Sequence, residues 1–196
     1  MGYGTAGSGV EDDGSLGFAG RFGFRENGRQ IEQVRTIHAD EPQPRLPEGV
    51  ELVPLAERPD LFRRTYDEPA LRAFEDMPTP VPISITPEIW EHDWVSLPEA
   101  SFVALAGDEI VGCARLIRDG DRPDRAENSL TAVRRDWRGR GLARALKEIV
   151  IAWASANGLH ELYPWTQTGN DNMRAVNERL GYVTRNVSIH VRAPLP

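Results

Sequence analysis

One segment determines how this sequence is interpreted, Leu130-Thr-Ala-Val-Arg-Arg-Asp-Trp-Arg-Gly-Arg-Gly-Leu-Ala-Arg-Ala-Leu-Lys147. Its first residues, up to Val133, predict a strand, and the apolar spacing after Gly141 predicts a helix. The glycines of the turn let the main chain approach a ligand closely, and the first N–H groups of the helix lack partners within it. These donors, with the charges of Arg138 and Arg140, predict a site for phosphate oxygens. The alternative is a glycine-shaped turn with solvated arginines.

The flanking sequence alternates between strand and helix periodicity. Ser101–Ala106 and Glu109–Arg118 predict two strands joined by a tight turn at Gly107-Asp108. The segment from Gly141 to Asn157 predicts a helix whose apolar residues share one face. The other predicted strands are 50–55, 129–133, 160–166 and 182–191, with helices at 59–77, from residue 87 and at 170–180, and a loop at 119–127. Strands that alternate with helices, together with a hairpin, predict a mixed α/β sheet.

Composition excludes several classes of protein. The 196 residues suffice for one domain, and 40% hydrophobic and 27% charged residues are ordinary for a soluble globular protein. Because no run of about 18 apolar residues exists, and the N-terminus lacks the pattern of a secretory signal, we expect no membrane partner. The single cysteine, Cys113, cannot form an internal disulfide, which favours a cytoplasmic protein. The net charge of −7 argues against nucleic acid, and the four histidines show no metal-ligand spacing.

The turn resembles a motif of a known family. Arg138-Gly-Arg-Gly141-Leu-Ala143 is similar to the Arg/Gln-x-x-Gly-x-Gly/Ala motif of the GNAT superfamily of acyl-CoA-dependent N-acyltransferases. The resemblance implies that main-chain groups of Ala132 and Val133 pair with the pantetheine arm of coenzyme A. It also implies that the pyrophosphate is held by the turn, that is, by Arg138, Gly139, Arg140, Gly141, Leu142 and Ala143.

A second segment resembles the same family at the expected distance along the chain. In Thr166-Gln-Thr-Gly-Asn-Asp-Asn-Met-Arg-Ala-Val-Asn-Glu-Arg-Leu-Gly-Tyr182 an Asn opens a short helix that ends in Gly-Tyr, where the family has Gly-Phe. The resemblance implies that Asn170, or its neighbour Asn172, contacts the cofactor; Asn170 is equally suited to cap the helix. The resemblance covers residues 48–196 and implies the GNAT fold, a mixed, mostly antiparallel twisted sheet flanked by helices, with acetyl-CoA as co-substrate.

The resemblance implies less about the catalytic groups. A neutral amine must attack the thioester, and a base assists because amines are mostly protonated at pH 7. The family often has a Glu where the strand leading into the turn begins, which corresponds to Glu127; a solvated loop carboxylate is the alternative. Many members have a Tyr as acid where this sequence has Asn177, and an amide cannot donate a proton as an acid. Among the phenols Tyr182 is a candidate, with Tyr163 and Tyr66 not ranked against it.

The acceptor pocket is expected between the first two helices and the sheet. Packing in the core is the alternative for each tryptophan, capping of a turn is the alternative for Asp76, and Cys113 is read as a small core residue. The candidate lining residues are Asp76, Met77, Trp90, His92, Trp94 and Trp165.

The N-terminal region divides into a tail, a strand-like segment and a linker. Residues 1–17 are rich in Gly, Ser and acidic side chains and predict a flexible tail. Residues 18–47 contain a turn signal at Asn27-Gly28 and end in a proline-rich linker. Arg21, Gly23, Phe24 and Ile31 match Arg179, Gly181, Tyr182 and Ile189 at one offset, which predicts the remnant of a preceding GNAT repeat. An unpaired strand there needs burial on this sheet's edge or in a partner chain, so a monomer and a homodimer that exchanges this segment both stay open.

These observations predict an N-acetyltransferase that moves an acyl group, most simply acetyl, from acyl-CoA to the amine of a small molecule by direct attack in a ternary complex. The alternative is a non-catalytic acyl-CoA-binding module left from a tandem protein. A third interpretation, an anion-binding domain unrelated to coenzyme A, must treat the second segment as coincidence.

Overall fold

The computed structural model of the chain describes residues 5–11, 14–79, 83, 85–93 and 97–194. The strands are β1 Thr5–Glu11, β2 Arg25–Thr36, β3 Glu51–Pro54, β4 Ser101–Ala106, β5 Glu109–Arg118, β6 Arg125–Val133, β7 Glu161–Tyr163, β8 Trp165–Gln167 and β9 Val183–Pro194. They form one sheet with the order β1-β9-β2-β7-β6-β5-β4-β3, and β8 pairs with β2 on the same side as β7. The β6–β7 pair is parallel and the other described pairs are antiparallel, which confirms the mixed, mostly antiparallel sheet.

The helices cover both faces of this sheet. They are α1 Ser15–Arg21, α2 Phe62–Thr65, α3 Leu71–Glu75, α4 Pro87–Asp93, α5 Leu142–Ala156 and α6 Asp171–Arg179. Because successive strand residues point to opposite faces, Ala114 joins the core under α5, whereas Cys113 joins the core under α2 to α4. None of the helices in the described ranges has the length and apolar character needed to span a bilayer.

Several element boundaries differ from the sequence-based predictions for identifiable reasons. The predicted loop 119–127 ends earlier, because β6 begins at Arg125 and pairs with β7. The predicted helix 59–77 contains a π-helical turn, Tyr66–Ala70, around Pro69, which has no N–H to donate. Asn27-Gly28 forms a bulge within the continuous strand β2, not a turn between two segments.

The N-terminal region is built into the sheet. Residues 5–11 of the segment predicted as a flexible tail instead form β1, which pairs with β9 along its length. β2 lies between β9 and the line of β7 and β8. In the described chain, this strand is therefore paired within its own sheet.

An internal pseudo-twofold axis relates the N-terminal and C-terminal regions. Arg29 pairs with Ile189 and Ile31 pairs with Val187, and the offset that relates Gly23 to Gly181 converts one pair into the other. At the same offset, α1 corresponds to the last two turns of α6, and β1 and β8 occupy corresponding edges of the β9–β2 pair.

Close approach at Gly112 gives the first testable expectation. A Cβ atom at this position would lie 2.9 Å from the Ala132 carbonyl oxygen and 3.0 Å from Leu146 Cδ1. Gly112→Ala should therefore overpack the interface of β5, β6 and α5 and lower the free energy of unfolding by about 1–3 kcal/mol. Urea denaturation measures this difference. Gly120→Ala is the matched control, because no atom lies within 4 Å of a Cβ there; equal stability of the two variants would contradict the expectation.

Candidate functional site

The turn between β6 and α5 has the geometry of an anion site. Gly139 and Gly141 have φ of 76° and 83°, and no atom lies within 4 Å of a Cβ built on either. Gly141 caps α5 without a side chain, and the first described bond of the helix runs from Ala145 N to Gly141 O. The amides of Leu142 and Ala143 have no described hydrogen-bond partner and lie at the positive end of the dipole of α5.

Arg138 and Arg140 are held at this turn in different ways. Arg138 Nε donates to the Val133 carbonyl oxygen at 3.1 Å, and its Nη2 donates to Asp76 at 2.6 Å. The guanidinium of Arg140 lies 4.6 Å from the centroid of the Trp137 ring. Both arginines thus belong to the turn that ends in the free amides of α5, and their charges are suited to the phosphate groups of a coenzyme A.

Asp76 is part of this turn, not of a free acceptor pocket. Its carboxylate accepts from Arg135 as well as from Arg138 and links the end of α3 to the turn. The hydrogen bond from Arg135, with that from Arg138, lowers the pKa of Asp76 to about 2, so the carboxylate is charged at neutral pH. This pairing takes up the oxygens that were predicted to hold a cationic acceptor.

The ladder between β6 and β7 ends early, and the gap between the strands beyond its last pair is called the cleft below. The two strands pair only at residues 125–127 and 161–163. Directly after that, β6 contains one extra residue opposite Leu116, since Arg115 pairs with Leu130 and Ile117 pairs with Glu127. This bulge at Asn128-Ser129 redirects the strand. The main chain of Ser129–Val133, including Ala132 and Val133, thus borders the cleft on its β6 side without a described partner strand there.

Glu127 lies at the base of this cleft. It is the last residue of β6 that pairs with β7, opposite Tyr163, and it is half-buried. Burial raises the pKa of Glu127 above its usual value, Asp119 and Glu32 add to this effect, and Arg115 opposes it. A partly desolvated carboxylate with a raised pKa is suited to accept a proton near neutral pH.

Arg115 is the residue of this face that the sequence analysis did not single out. It is 3% exposed, and its guanidinium lies 5.1 Å from the centroid of the Trp90 ring. Burial lowers the pKa of Arg115 to about 9. The sequence did contain a signal for Arg115, because it is a charged residue two positions after Cys113, at a core-facing position of an otherwise apolar strand.

A network of charged side chains continues from Glu127 across the sheet. Arg125 lies 3.6 Å from the centroid of the Tyr163 ring and pairs with Glu161 at 2.6 Å. It also pairs with Glu32, which in turn binds Arg185. Burial raises the pKa of the Tyr163 phenol. Glu32 and Glu161 thus each pair with both Arg125 and Arg185.

Asn170 lies at the start of α6, the helix of the second motif, whereas Asn177 lies in the interior of the protein. Asn170 caps α6, and its Oδ1 accepts from Met173 N at 3.4 Å, as the alternative interpretation held; Asn172 is exposed. Asn177 is fully buried and donates to Gln33 Oε1 at 2.8 Å and to Thr166 Oγ1. It therefore joins α6 to β2 and β8.

The phenols predicted as acid candidates are placed differently from one another. Tyr182 is 2% exposed in the core under α5, and burial raises its pKa. Tyr66 donates its hydroxyl to the Ile85 carbonyl oxygen at 2.6 Å. Tyr163 is the phenol that the strand register brings beside Glu127. The placement of Tyr182 argues against proton donation to a ligand in the cleft.

The acceptor-lining candidates are partly core residues. Trp90 is 2% exposed and packs against Tyr66 and Phe74, with Met77 at the edge of that cluster. Trp165 is half-buried on β8 and pairs with Glu32. Burial raises the pKa of the Cys113 thiol to about 12, which fits a core residue. Trp94 and the side chain of His92 lie outside the described residues.

Comparison with known proteins identifies relatives of both sequence and fold. Residues 60–182 match the model of the Acetyltransferase (GNAT) family. Over 93 residues the chain is 30% identical to N-alpha-acetyltransferase 30 of Schizosaccharomyces pombe, covering 46% of this chain and 60% of the relative. The chain thus spans less than two thirds of that relative.

Solved structures share the fold at low sequence identity. A GCN5-related N-acetyltransferase from Sphaerobacter thermophilus matches with a TM-score of 0.74 and 22% identity, over 97% of this chain and 59% of that one. A tandem GNAT protein from the clavulanic acid biosynthesis pathway gives 0.73 and 15%, over 97% and 64%. The NatC complex bound to Gag peptide and CoA gives 0.58 and 18%, over 75% and 99%.

Proposed function

The chain belongs to the acetyltransferase (GNAT) family, and from this premise we propose that it transfers the acetyl group of acetyl-CoA to the amine of a small-molecule acceptor by direct attack in a ternary complex. Acyl transfer from acetyl-CoA is the general activity of the family. The observation that carries the proposal is that β6 runs from Glu127, along the edge without a described partner strand, to the open turn of Gly139 and Gly141 at the start of α5.

The residues of the chain divide the work between binding and proton transfer. The free amides of α5, with Arg138 and Arg140, would hold the pyrophosphate, and the main chain of Ala132 and Val133 would hold the pantetheine arm. Acetyl-CoA supplies an activated thioester. Glu127 accepts the proton of the attacking amine, and its raised pKa keeps that proton available for return to the leaving thiolate, whose reference pKa of about 8.5 exceeds that of a carboxyl group.

A second candidate acceptor is the α-amine of a peptide N-terminus. The Schizosaccharomyces pombe relative is named as an N-alpha-acetyltransferase, which supports this class. The chemistry at Glu127 is the same for both acceptors. The two acceptor classes are distinguished by measuring the release of free thiol from acetyl-CoA with small primary amines and with short peptides.

Titration with acetyl-CoA tests the cofactor site directly. We expect calorimetry to give a micromolar Kd for the wild type, and we expect Arg138→Ala/Arg140→Ala to bind about tenfold or more weakly, because two charge-assisted contacts to phosphate are lost. Arg58→Ala is the control, since Arg58 is paired with Asp60 away from the turn. Release of free thiol in the presence of amines then measures turnover.

The outcomes separate the competing functions. Absence of binding at millimolar acetyl-CoA would overturn the proposal. Binding without turnover of any amine or peptide would favour the non-catalytic acyl-CoA-binding module.

We further propose that residues 5–36 are the closing part of a preceding GNAT repeat. The pseudo-twofold axis between β2 and β9 and the common offset of α1 and α6 support this. The fold-level likeness to a tandem GNAT protein, over 97% of this chain, supports it as well. The domain proper then corresponds to residues 48–196, with residues 37–47 as the linker.

A further inference from the structure

Lys147 is a buried lysine that the mechanism above does not use. It is 1% exposed, and burial lowers its pKa from 10.5 to about 7, with no carboxylate contributing to the shift. An apolar side chain of similar length would fill this position without the cost of desolvating an amine. The reason for a lysine at this position is therefore sought in the specific hydrogen bond that it makes.

That hydrogen bond orients the side chain of Asn128. Lys147 Nζ donates to Asn128 Oδ1, which Thr131 Oγ1 also approaches at 3.4 Å. Asn128 Nδ2 donates to the carbonyl oxygens of Arg115 at 3.1 Å and Leu130 at 3.2 Å. All four hydrogen-bonding positions of the amide are thus used. Lys147 Nζ and Thr131 Oγ1 donate to the amide oxygen, and two carbonyl oxygens accept from the amide nitrogen, so both ends of the Asn128 amide are oriented.

Asn128 is itself the bulged residue at which the cleft opens. The two carbonyl groups that it binds belong to Arg115 of β5 and Leu130 of β6, the strand pair directly next to the extra residue. Leu130, one of these two residues, lies in the main-chain edge Ser129–Val133 that borders the cleft. Hydrogen bonds therefore connect Lys147 on α5, through the side chain of Asn128, to the main chain of Leu130 beside the proposed pantetheine site.

We propose that Lys147 is a positioning residue for acetyl transfer: through Asn128 it holds the β6 bulge in the shape that sets the main-chain edge 129–133 relative to Glu127. This inference rests on the proposed function. Lys147 does not touch the substrates in this scheme. Its effect reaches them through the position of the thioester, since a displacement of about 1 Å at a reacting centre can reduce the rate by about a hundredfold.

Lys147→Met tests the proposal because it keeps the apolar length of the side chain and removes the donor. We expect the melting temperature at pH 7 to change little, because removal of the desolvated amine offsets the hydrogen bond that Asn128 Oδ1 loses, and Thr131 Oγ1 stays within 3.4 Å of that oxygen. We expect kcat to fall by about tenfold to a hundredfold with a smaller change in the KM for acetyl-CoA. Amide hydrogen exchange of residues 129–133 should become faster. Lys147→Gln retains a donor and should recover part of kcat.

The control is Leu146→Met, a buried neighbour on α5 whose substitution preserves volume and leaves the Lys147 bond in place. A Lys147→Met enzyme with a lowered melting temperature but wild-type kcat and exchange would show that Lys147 only packs, and would overturn the inference while the proposed function stands. A wild type that neither binds nor turns over acetyl-CoA would overturn the proposed function. In that case the exchange measurement still decides whether Lys147 holds the bulge.

Discussion

Replacing Glu127 with Gln is expected to lower kcat for acetyl transfer by about a hundredfold to ten-thousandfold while acetyl-CoA affinity stays unchanged. Gln keeps the size and polarity of the side chain but cannot accept a proton from the attacking amine. The turn proposed to hold the pyrophosphate begins after Val133, so the variant should leave the cofactor contacts intact. Steady-state thiol release gives kcat, and calorimetry gives the affinity.

The dependence of the rate on pH adds an independent signature. Glu127 acts as a base only in its charged form, and burial raises its pKa. The rate should therefore decrease as the pH falls through this raised pKa and should be fully present above it. In Glu127→Gln this acidic limb should disappear, whereas the increase that comes from deprotonation of the acceptor amine at higher pH should remain.

Glu161→Gln is the matched control for this prediction. Glu161 lies on β7, opposite Arg125 in the same parallel pair, and burial raises its pKa as well. It is, however, engaged with Arg125 and Arg185 away from the bulge. Equal losses of kcat in Glu127→Gln and Glu161→Gln would assign the effect to the charged network and would contradict a specific role of Glu127.

Deletion of residues 1–36 is expected to abolish cooperative folding. The deletion removes β1 and β2, the two neighbours of β9, so this 12-residue strand loses its described partners on both sides. It also removes Gln33, which accepts from the buried Asn177, and Glu32, which binds Arg125 and Arg185. The loss should exceed the roughly 5–15 kcal/mol by which native domains are stable. Circular dichroism during thermal unfolding measures it.

Complementation distinguishes a missing strand from a general failure to fold. A separate peptide of residues 5–44 added to the truncated chain should restore a cooperative transition and acetyl-CoA binding, because β2 supplies main-chain pairing that needs no covalent link. The same experiment addresses the homodimer that exchanges this segment, since such a dimer would show twice the chain mass for the intact protein. A truncated chain that keeps the wild-type melting temperature would contradict the structure's placement of β2.

Local pattern predicted the elements of the cofactor turn. The periodicity around Leu130–Lys147 has strong local signals, namely a β-branched run, glycines at the turn and a one-sided apolar helix. The hairpin at Gly107-Asp108 has the bounds that were predicted, for the same reason. The two family motifs, confirmed by the match of residues 60–182, led from these elements to the fold.

Placement of polar side chains across the sheet could not be predicted in the same way. Arg115, Asn128 and Lys147 are far apart in sequence, and each is an ordinary polar residue until the β6 bulge and α5 bring them together. Asp76 was assigned to an acceptor pocket, but the end of α3 brings it to Arg135 and Arg138. Such contacts depend on packing between elements, which periodicity does not encode.

By itself, the sequence determined the strand–turn–helix geometry of the proposed cofactor site and the order of strands and helices in residues 50–156, because these follow from local propensity and from glycine at the turn. Only the tertiary structure decided the fate of residues 5–11 and of Asn177. The first segment has a composition typical of a tail, yet the exposed main chain of β9 gives it hydrogen-bond partners and makes it a strand. Asn177 occupies a catalytic position of the family pattern, yet Gln33 of the inserted strand β2 provides it with a buried partner and makes it structural.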